Sequence, residues 1–545
     1  MKKTLFLLCM LLSIFLCADN HALLKFGIIS DNHLDRTRPA TAERTKLAFE
    51  LFRNQKVDFF VDCGDVADTY QPDMFRLWRK IYLEVFADEK SRPDFLMIPA
   101  GHDRIGTAWE KGYSDFVKFT GSGSVNPVKQ IKGYHFVSIA QKENPDILKK
   151  NLAAAVAASG KNPVFVITHY PPMNTTPGSY SFSGGDSNYR KILDSYPQAI
   201  VISGHTHTRL MDERAIWQGT FTAVNAGTLA YNDFMGIANP AVRSYSYDAA
   251  ICEVFKDRVI IRRYNVKTGN EIYPGSQWEF PLPFDAEAAP YKLENRQKNF
   301  PIPNFRTTDK AVFYAKKTKW DRWGILQFPL PENYAAVNYY RLSLEKKSEN
   351  NSYTHYGIVD LVNNGNYSSP MADLEFSAGY LEPGSYRFIL TPVNYFHCSG
   401  TPLKGNFSVK KVPWQEVKND HSPSVYTRKK GGIEIKPDRD GYYQMNGNCR
   451  LILPGNVIKE AVDSKKKLII SLRMSSDGPG KSASMRIING TGAIISLSTG
   501  CYREGTKDQE YSLVFRPKNV QEYSLLFRNN GSVKYHFKKI RYYLY

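Results

Sequence analysis

The first half of the chain alternates short apolar runs with segments in which apolar and charged residues recur at helical spacing. The helical pattern covers Thr41 to Arg53, Asp73 to Phe86 and 145–160, and apolar runs lie between these segments. Strands that alternate with helices are typical of α/β domains. The pattern therefore predicts an α/β domain over residues 25–273.

The pattern changes after residue 273. Prolines and a lapse of periodicity predict an extended linker over 274–304, and the following residues alternate as half-buried strands, with a short helix near Val457 to Val462. Residues 305–411 resemble fibronectin type III or immunoglobulin-like β-sandwiches, and 412–545 resemble a jelly-roll carbohydrate-binding module. Four aromatic residues are candidates for stacking on sugar rings, although core packing is the favoured interpretation: Trp414, Tyr442, Tyr443 and Tyr502.

The length of the chain agrees with this prediction of several domains, and its charge does not alter the prediction. A chain of 545 residues exceeds one compact core, and its formal charge of +19 is spread along the sequence. A solvated basic surface is the favoured interpretation, with glycan or an anionic cell-surface polymer as the alternative partner of the C-terminal β domains. No nucleic-acid recognition motif accompanies the charge, and nothing in the sequence indicates an oligomeric state.

The start of the chain resembles a signal peptide. Lys2 and Lys3 precede an apolar run that ends near Ala18, so residues 1–18 predict a secreted, periplasmic or cell-surface protein. Lipoprotein attachment through Cys17 is the less favoured alternative. Five cysteines follow Ala18, an odd number that does not indicate a disulfide framework, although Cys449 and Cys501 lie in one module and are a candidate pair.

Residues with metal-binding side chains follow several of the apolar runs. They are Asp31 and His33 in SDNH, Asp65 in CGD, His102 and Asp103 in AGHD, His169 in ITH, and His205 and His207 in GHTH. Ligand crevices in α/β folds form beyond the carboxyl ends of strands. A single histidine is more often structural than a ligand, but this repetition predicts a metal site.

The ordered series of motifs from residue 25 to 265 resembles the calcineurin-like metallophosphoesterase family. The resemblance implies a sandwich of two mixed sheets flanked by helices, with two divalent ions (Mn, Fe or Zn) bridged by Asp65. It implies that one ion is bound by Asp31, His33, Asp65 and His207, and the other by Asp65, His169 and His205. It also implies hydrolysis of a phosphomonoester or phosphodiester by metal-activated water.

One position departs from the family pattern. Gly101 stands where the family has a metal-ligating asparagine, so we expect a weaker second ion unless water or a side chain such as Asn32 replaces the ligand. In the preferred register, His102 is the acid that protonates the leaving group and Asp103 orients its imidazole. In the rival register, His102 is itself a ligand.

Three further expectations concern the surroundings of the site. Arg104 and Arg209 are tentative phosphate-binding residues, with ion pairs to loop carboxylates as the alternative. The Pro- and Gly-rich segment after His169 is either a substrate-gating loop or an ordinary connection. The alternative to an enzyme is a catalytically weakened phosphoesterase scaffold that acts as a secreted glycan- or anion-binding protein, a hypothesis that Gly101 keeps open.

Overall fold

The computed structural model describes most of the chain. The described residues are 21–176, 185–232, 247–273, 275–317, 322–348, 350–362, 371–377, 384–409, 415–417, 424–427, 434–445, 449–476, 483–489, 494–501, 509–529 and 535–544. The predicted signal peptide, the middle of the predicted gating loop, Trp414 and Tyr502 lie outside them. Among the helices of these ranges, none is both long and apolar enough to span a bilayer.

Internal contacts divide the chain into two compact units, one that ends at Phe300 and one that begins at Pro301. The described strands of the first unit are β1 (Leu24–Ile29), β2 (Phe59–Asp62), β3 (Asp94–Met97), β4 (Val128–Ile131), β5 (Tyr134–Ile139), β6 (Val164–Thr168), β7 (Ala199–Ser203), β8 (Ile216–Gln218), β9 (Thr222–Asn225), β10 (Asp248–Val254), β11 (Arg258–Asn265), β12 (Asn270–Glu271) and β13 (Trp278–Pro281). Its described α-helices are α1 (Ala40–Asn54), α2 (Pro72–Val85), α3 (Trp109–Thr120), α4 (Pro145–Ser159), α5 (Ser187–Leu193) and α6 (Leu293–Asn299).

The strands of the first unit form two mixed sheets. One has the order β12-β11-β10-β1-β2-β3, with β13 paired to β11, and the other has the order β4-β5-β6-β7-β9-β8. Within them, β1 to β3 are parallel, as are β5, β6, β7 and β9. Every residue of β2, β6 and β7 is buried, which explains why each strand is apolar up to its last residue.

The two sheets pack face to face with helices outside them. Phe26 of β1 lies against Phe136 of β5, with ring centroids 5.2 Å apart, in a core drawn from both sheets. Phe49 of α1 and Trp78 of α2 cover the outer face of the first sheet, and Leu148 of α4 covers that of the second. This is the predicted sandwich of two mixed sheets flanked by helices.

The segment predicted to be a linker, 274–304, is different in the structure. Trp278 in β13 is 1 % exposed and donates from Nε1 to Glu213 Oε2 at 3.0 Å. Arg296 in α6 pairs with the same carboxylate at 2.8 Å. Trp278 and Phe280 alternate with exposed residues, a strand pattern that the neighbouring prolines obscured. The described part of this segment up to Phe300 therefore packs into the first unit.

The second unit is rich in β-strands, as predicted. Its described strands are β14 (Val312–Lys317), β15 (Arg322–Pro329), β16 (Val337–Lys347), β17 (Tyr353–Val362), β18 (Met371–Ser377), β19 (Gly384–Asn394), β20 (Leu403–Val409), β21 (Gln415–Val417), β22 (Ser424–Thr427), β23 (Tyr443–Met445), β24 (Cys449–Ile452), β25 (Leu468–Ser476), β26 (Ala483–Asn489), β27 (Ile494–Cys501), β28 (Gln509–Phe515), β29 (Tyr523–Asn529) and β30 (Tyr535–Leu544). The short helix near Val457 is α7 (Gly455–Asp463).

These strands form four sheets. Their orders are β14-β15-β18, β17-β16-β19-β20, β21-β30-β25-β28 with β23 on β30, and β22-β24-β29-β26-β27. One core gathers residues of β15, β16, β19 and β20, and a second gathers residues of β24, β25, β29 and β30. The resemblance of these sheets to fibronectin-like and jelly-roll modules stays a prediction.

Two details of the second unit bear on the sequence analysis. Tyr443 is 6 % exposed and stacks on Phe537, with ring centroids 5.2 Å apart, so this aromatic residue belongs to the core. The thiol of Cys449 is free and buried, and it is not part of the suggested disulfide.

Candidate metal centre

The predicted ligands follow the carboxyl ends of parallel strands. Asp31 and His33 follow β1, Asp65 follows β2, His169 follows β6, and His205 and His207 follow β7. The polar residues that follow these strands therefore lie at the same end of the sandwich, in the loops after the buried strands. The fold thus brings together residues that are up to 176 positions apart.

The first group consists of Asp31, His33 and His207. One ligand atom from each lies within 4.8 Å of the others, and all three residues are buried. His207 Nε2 is 3.2 Å from Asp31 Oδ1 and 3.2 Å from His33 Nε2. The three side chains therefore direct nitrogen and oxygen donors at one point.

The second group consists of Asp65, His169 and His205, whose ligand atoms also lie within 4.8 Å of one another. Oδ2 of Asp65 is 3.1 Å from His169 Nε2, and the same oxygen is 3.9 Å from Nε2 of His33 in the first group. Asp65 therefore stands between the groups, where the family resemblance places the bridging carboxylate.

The loops that carry these residues have an unusual backbone conformation. Five candidate ligands have positive φ angles between 46° and 67°, which are uncommon for residues other than glycine: Asp31, His33, Asp65, His205 and His207. Each costs about 1–3 kcal/mol unless the surrounding structure holds it. Such strain is concentrated at functional sites and supports a functional role for these loops.

Gly204 shows how tightly the loops fit. A Cβ atom at this position would lie 1.9 Å from Ser30 Oγ and 2.5 Å from Asp31 Oδ2. The same Asp31 oxygen accepts from the backbone N–H of His205 at 3.0 Å and from Ser30 Oγ at 2.7 Å. Glycine is therefore required for the loop after β7 to close on the loop after β1.

The histidine rings are oriented by partners at Nδ1. His169 Nδ1 donates to the carbonyl oxygen of Cys63 at 2.9 Å, and His207 Nδ1 donates to that of Tyr231 at 2.7 Å. Nδ1 of His33 lies 3.0 Å from Asp68 Oδ1. These bonds leave Nε2 of each ring to face the cluster, as in metal sites where an outer partner fixes the tautomer.

The buried carboxylates and imidazoles of the cluster shift one another's pKa values. Burial opposes protonation of His33 and His169, but the nearby carboxylates raise the pKa of His33 to about 10 and that of His169 to about 9. Burial and the charge of His169 lower the pKa of His205 to about 3. Despite burial, the histidines hold the pKa values of Asp31 and Asp65 below their usual range.

Two buried atoms test whether the residues fit metal ions. Asp31 Oδ1 and His169 Nε2 are inaccessible to solvent and lie 3.2 Å from His207 Nε2 and 3.1 Å from Asp65 Oδ2, without a hydrogen bond of regular geometry in the described parts of the chain. Buried polar atoms normally form regular hydrogen bonds, and these two instead face other metal-type donors. The carboxylate and imidazole donor set fits divalent ions.

His102 lies beside the two groups. It begins a short 3-10 helix, His102–Arg104, after β3 and remains partly exposed. Its Nδ1 donates to the carbonyl oxygen of Asp68 at 2.6 Å, and its ring meets that of His33 edge to face with centroids 4.6 Å apart. His102 is therefore held at the margin of the cluster, next to solvent.

The predicted role of Asp103 is wrong. Both of its oxygens are committed to the backbone, since Oδ1 accepts from Ala67 N at 2.8 Å and Oδ2 from Ala100 N at 2.9 Å. The carbonyl of Asp68 orients His102 instead. Asp103 is fully buried and joins the loops after β2 and β3.

Asn32 does not replace the missing asparagine side chain. Its Nδ2 donates to Asp62 Oδ2 at 2.8 Å, and its Oδ1 accepts from Thr45 Oγ1 at 3.1 Å. Both ends of the amide are occupied by this buried network, which fixes the loop between Asp31 and His33.

The contacts of the two arginines favour structural roles. Arg104 lies over the ring of Trp109, with Cζ 4.2 Å from the ring centroid. Arg209 is 6 % exposed, its Nη1 is 3.2 Å from Met211 Sδ, and its charge acts on Asp212. These contacts indicate that Arg104 packs on an aromatic ring and that Arg209 faces a loop carboxylate. Neither contact indicates phosphate binding.

Asp68 was missed by the sequence reasoning. Its carboxylate binds His33 Nδ1 and Arg38, while its carbonyl binds His102. One feature of the sequence could have identified it: Asp68 is an acidic residue three positions after Asp65, in the same ligand loop. Its pKa is held below the usual range, chiefly by the hydrogen bond with His33.

Comparison with known proteins agrees with this geometry. An α/β sandwich with two groups of carboxylate and imidazole donors at its strand ends defines a metallophosphoesterase-type domain. Residues 24–209 match the calcineurin-like phosphoesterase family model. A search of curated proteins finds no match.

Three solved structures are similar in part. A dimetal phosphatase from Danio rerio shares 10 % identity over 45 % of this chain and 97 % of its own, with a TM-score of 0.32. A purple acid phosphatase from yellow lupin (Lupinus luteus) seeds shares 9 % identity over 48 % of this chain and 55 % of its own, with a TM-score of 0.34. A protein described as CBM4 shares 7 % identity over 23 % of this chain and 94 % of its own, with a TM-score of 0.18.

Proposed function

We propose that the first unit is a phosphoesterase that uses two divalent ions to hydrolyse a phosphomonoester or phosphodiester. The observation that carries the proposal is the pair of donor groups, Asp31/His33/His207 and Asp65/His169/His205, with Asp65 between them. The match of residues 24–209 to the calcineurin-like phosphoesterase family model supports the reaction class.

Each donor group would hold one ion, with Asp65 contributing to both. Ions bound there supply Lewis acidity, which lowers the pKa of water and offsets the charge of phosphoryl oxygens. The carboxylates of Asp31 and Asp65 are buried and counter the positive charge of the ions. Nitrogen and oxygen donors together do not select among Mn, Fe and Zn.

His102 is the proposed general acid. Because Nδ1 donates to the Asp68 carbonyl, Nε2 is the atom at which the ring gains and loses its catalytic proton. Its partly exposed position allows it to pass that proton to a leaving alkoxide and recover another from solvent. A general acid contributes roughly 100- to 10,000-fold to such a reaction.

Metal analysis combined with a substrate panel tests the proposal. Purified protein should contain two ions per chain, lose hydrolysis after chelation and regain it when a divalent ion is restored. The panel should include nucleotides, sugar phosphates, phospholipid head groups and simple diesters. Absence of bound ions would contradict the proposal and favour the scaffold hypothesis.

We further propose that the chain is exported and that the second unit attaches it to glycan or to an anionic cell-surface polymer. Lys2 and Lys3 before an apolar run support export, and the net charge of +19 supports attraction to anions. Pull-down of the intact protein on polysaccharides of different charge, at low and high salt, tests the attachment. Equal retention on neutral and acidic polysaccharide would contradict the electrostatic part.

A further inference from the structure

The space beside Gly101 is filled by another side chain. A Cβ atom at Gly101 would lie 2.9 Å from Oε1 of Gln141 and 3.6 Å from its Cδ. An asparagine holds its amide oxygen about 2.4 Å from its own Cβ. The amide oxygen of Gln141 therefore lies in the space that an asparagine side chain at position 101 would use.

The sheet brings Gln141 to this position. Gln141 follows β5 by two residues, just as Tyr170 follows β6, and the two strands are parallel with Ile139 paired to Thr168. His169 is the residue between Thr168 and Tyr170. Gln141 and His169 thus leave neighbouring strands at the same edge of the second sheet.

Local contacts hold the Gln141 side chain in place. The residue is 9 % exposed, and Tyr113 Oη donates to its backbone carbonyl at 2.5 Å. Tyr170, which follows β6 at the matching position, packs its ring edge to face on His205 with centroids 4.0 Å apart. Of the side-chain amide atoms of Gln141, Oε1 is nearest to the Cβ position of residue 101, at 2.9 Å against 3.6 Å for Nε2.

The turn around Gly101 lies against the second donor group. The backbone N–H of His102 donates to Asp65 Oδ1 at 2.9 Å. A Cβ atom on Gly64 would lie 2.8 Å from Ala100 Cβ and 3.4 Å from His169 Nδ1. The residue before Gly101 and the ring of His169 thus both border Gly64, and the residue after Gly101 is bonded to Asp65.

We propose that Gln141 supplies, through Oε1, the neutral oxygen ligand that Gly101 cannot, completing the metal site of Asp65, His169 and His205. This assignment rests on the proposed metal centre and specifies its second site. On this assignment the second site is complete, and the Gln141 variants decide between it and the expectation that Gly101 weakens that site.

Mn²⁺ titration of metal-free protein tests the assignment. Isothermal titration calorimetry should resolve two sites in the wild type, and electron paramagnetic resonance counts free Mn²⁺ independently. Gln141→Met preserves length and replaces the amide by a thioether, a poor ligand for this hard ion. We expect the affinity of one site to fall at least about tenfold, since loss of even an outer-shell partner costs that much.

Matched variants test whether a loss of Mn²⁺ affinity is specific to Gln141. Gln130→Met alters an exposed glutamine of β4 and should leave both affinities unchanged. In Gln141→Ala the space beside residue 101 is open, so adding Gly101→Asn to that variant should restore the lost affinity. Thermal unfolding of each metal-free variant verifies that the fold persists.

The outcomes separate the assignment from the proposed function. Two ions bound with equal affinity by wild type, Gln141→Met and Gln141→Ala would overturn the role of Gln141 while leaving the metal centre intact. A wild-type protein that binds no Mn²⁺, Zn²⁺ or Fe²⁺ would refute the proposed function itself. Recovery in the double variant would support both.

Discussion

Nδ1 of His102 donates to the backbone carbonyl oxygen of Asp68 across 2.6 Å, while the carboxylate of Asp68 lies 3.0 Å from Nδ1 of His33. One residue thus positions the proposed acid through its main chain and a candidate ligand through its side chain. Substitution of the side chain should affect only the second of these functions. That separation makes Asp68 a useful probe of the site.

Asp68→Ala should weaken metal binding at the site of Asp31, His33 and His207. Outer partners of ligating histidines are worth about 10- to 100-fold in affinity, so we expect a loss of that size. Turnover at saturating metal should remain within a few-fold of the wild type, because the carbonyl that orients His102 is retained. Metal titration followed by phosphatase assays at saturation measures both.

The control for Asp68→Ala is Asp73→Ala. Asp73 pairs with Arg36 at an exposed position on α2 and does not touch the donor groups. Its loss should leave metal affinity unchanged. Equal effects of the two substitutions would assign the weakening to general destabilisation instead of to His33.

His102→Ala should separate proton transfer from metal binding. The structure places His102 at the margin of both groups, so its removal should spare both ions and slow turnover roughly 100- to 10,000-fold. Asp65→Ala, in contrast, should abolish metal binding and hydrolysis together. Metal content after dialysis and single-turnover rates give the two readouts, and loss of an ion in His102→Ala would restore the rival register.

Particular residues show why part of the site was predictable. Asp31, Asp65, His169 and His205 each follow an apolar strand closely, so local sequence was enough to group them. The Asp103 carboxylate, in contrast, accepts hydrogen bonds from the backbone amides of Ala67 and Ala100. These amides lie near Asp103 only in the folded loops. Side-chain partners fixed by three-dimensional packing leave no spacing pattern in the chain.

The same distinction applies to the fold. The helices α1, α2 and α4 follow from helical spacing, and the buried strands follow from unbroken apolar runs. β13 was missed because its alternating pattern is only four residues long and prolines surround it. Proximity of Gln141 to Gly101 was beyond sequence reasoning, since these residues follow strands of different sheets.

Asp62 should make the metal-free protein less stable as the pH rises. Burial raises the pKa of this carboxyl from 3.8 to about 7. Between these values the folded state binds a proton that the unfolded state has released, so its stabilising contribution is complete below pH 3.8 and is lost as the pH passes 7. The loss is on the order of 4 kcal/mol at most.

Comparison with Asp62→Asn isolates this titration. The amide cannot ionise and retains an oxygen for the donors Asn32 and Trp78. Urea unfolding in the presence of a chelator, at intervals from pH 4 to pH 8, should show the stability of the wild type declining relative to the variant. A constant difference across that range would show that Asp62 does not change its protonation on folding.

Finally, the boundary at Phe300 predicts where the chain can be divided. A protein that ends at residue 273 lacks Trp278, which is 1 % exposed in the core, and Arg296, which pairs with Glu213. Loss of one buried tryptophan side chain typically costs about 3–5 kcal/mol, so this shorter protein should unfold at markedly lower urea concentration than one that ends at residue 300. The complementary fragment from residue 301 should fold by itself, because its described strands form their own two cores. Circular dichroism and urea titration of the three fragments check these outcomes, and equal stability of the two N-terminal fragments would reassign 274–300 to a linker.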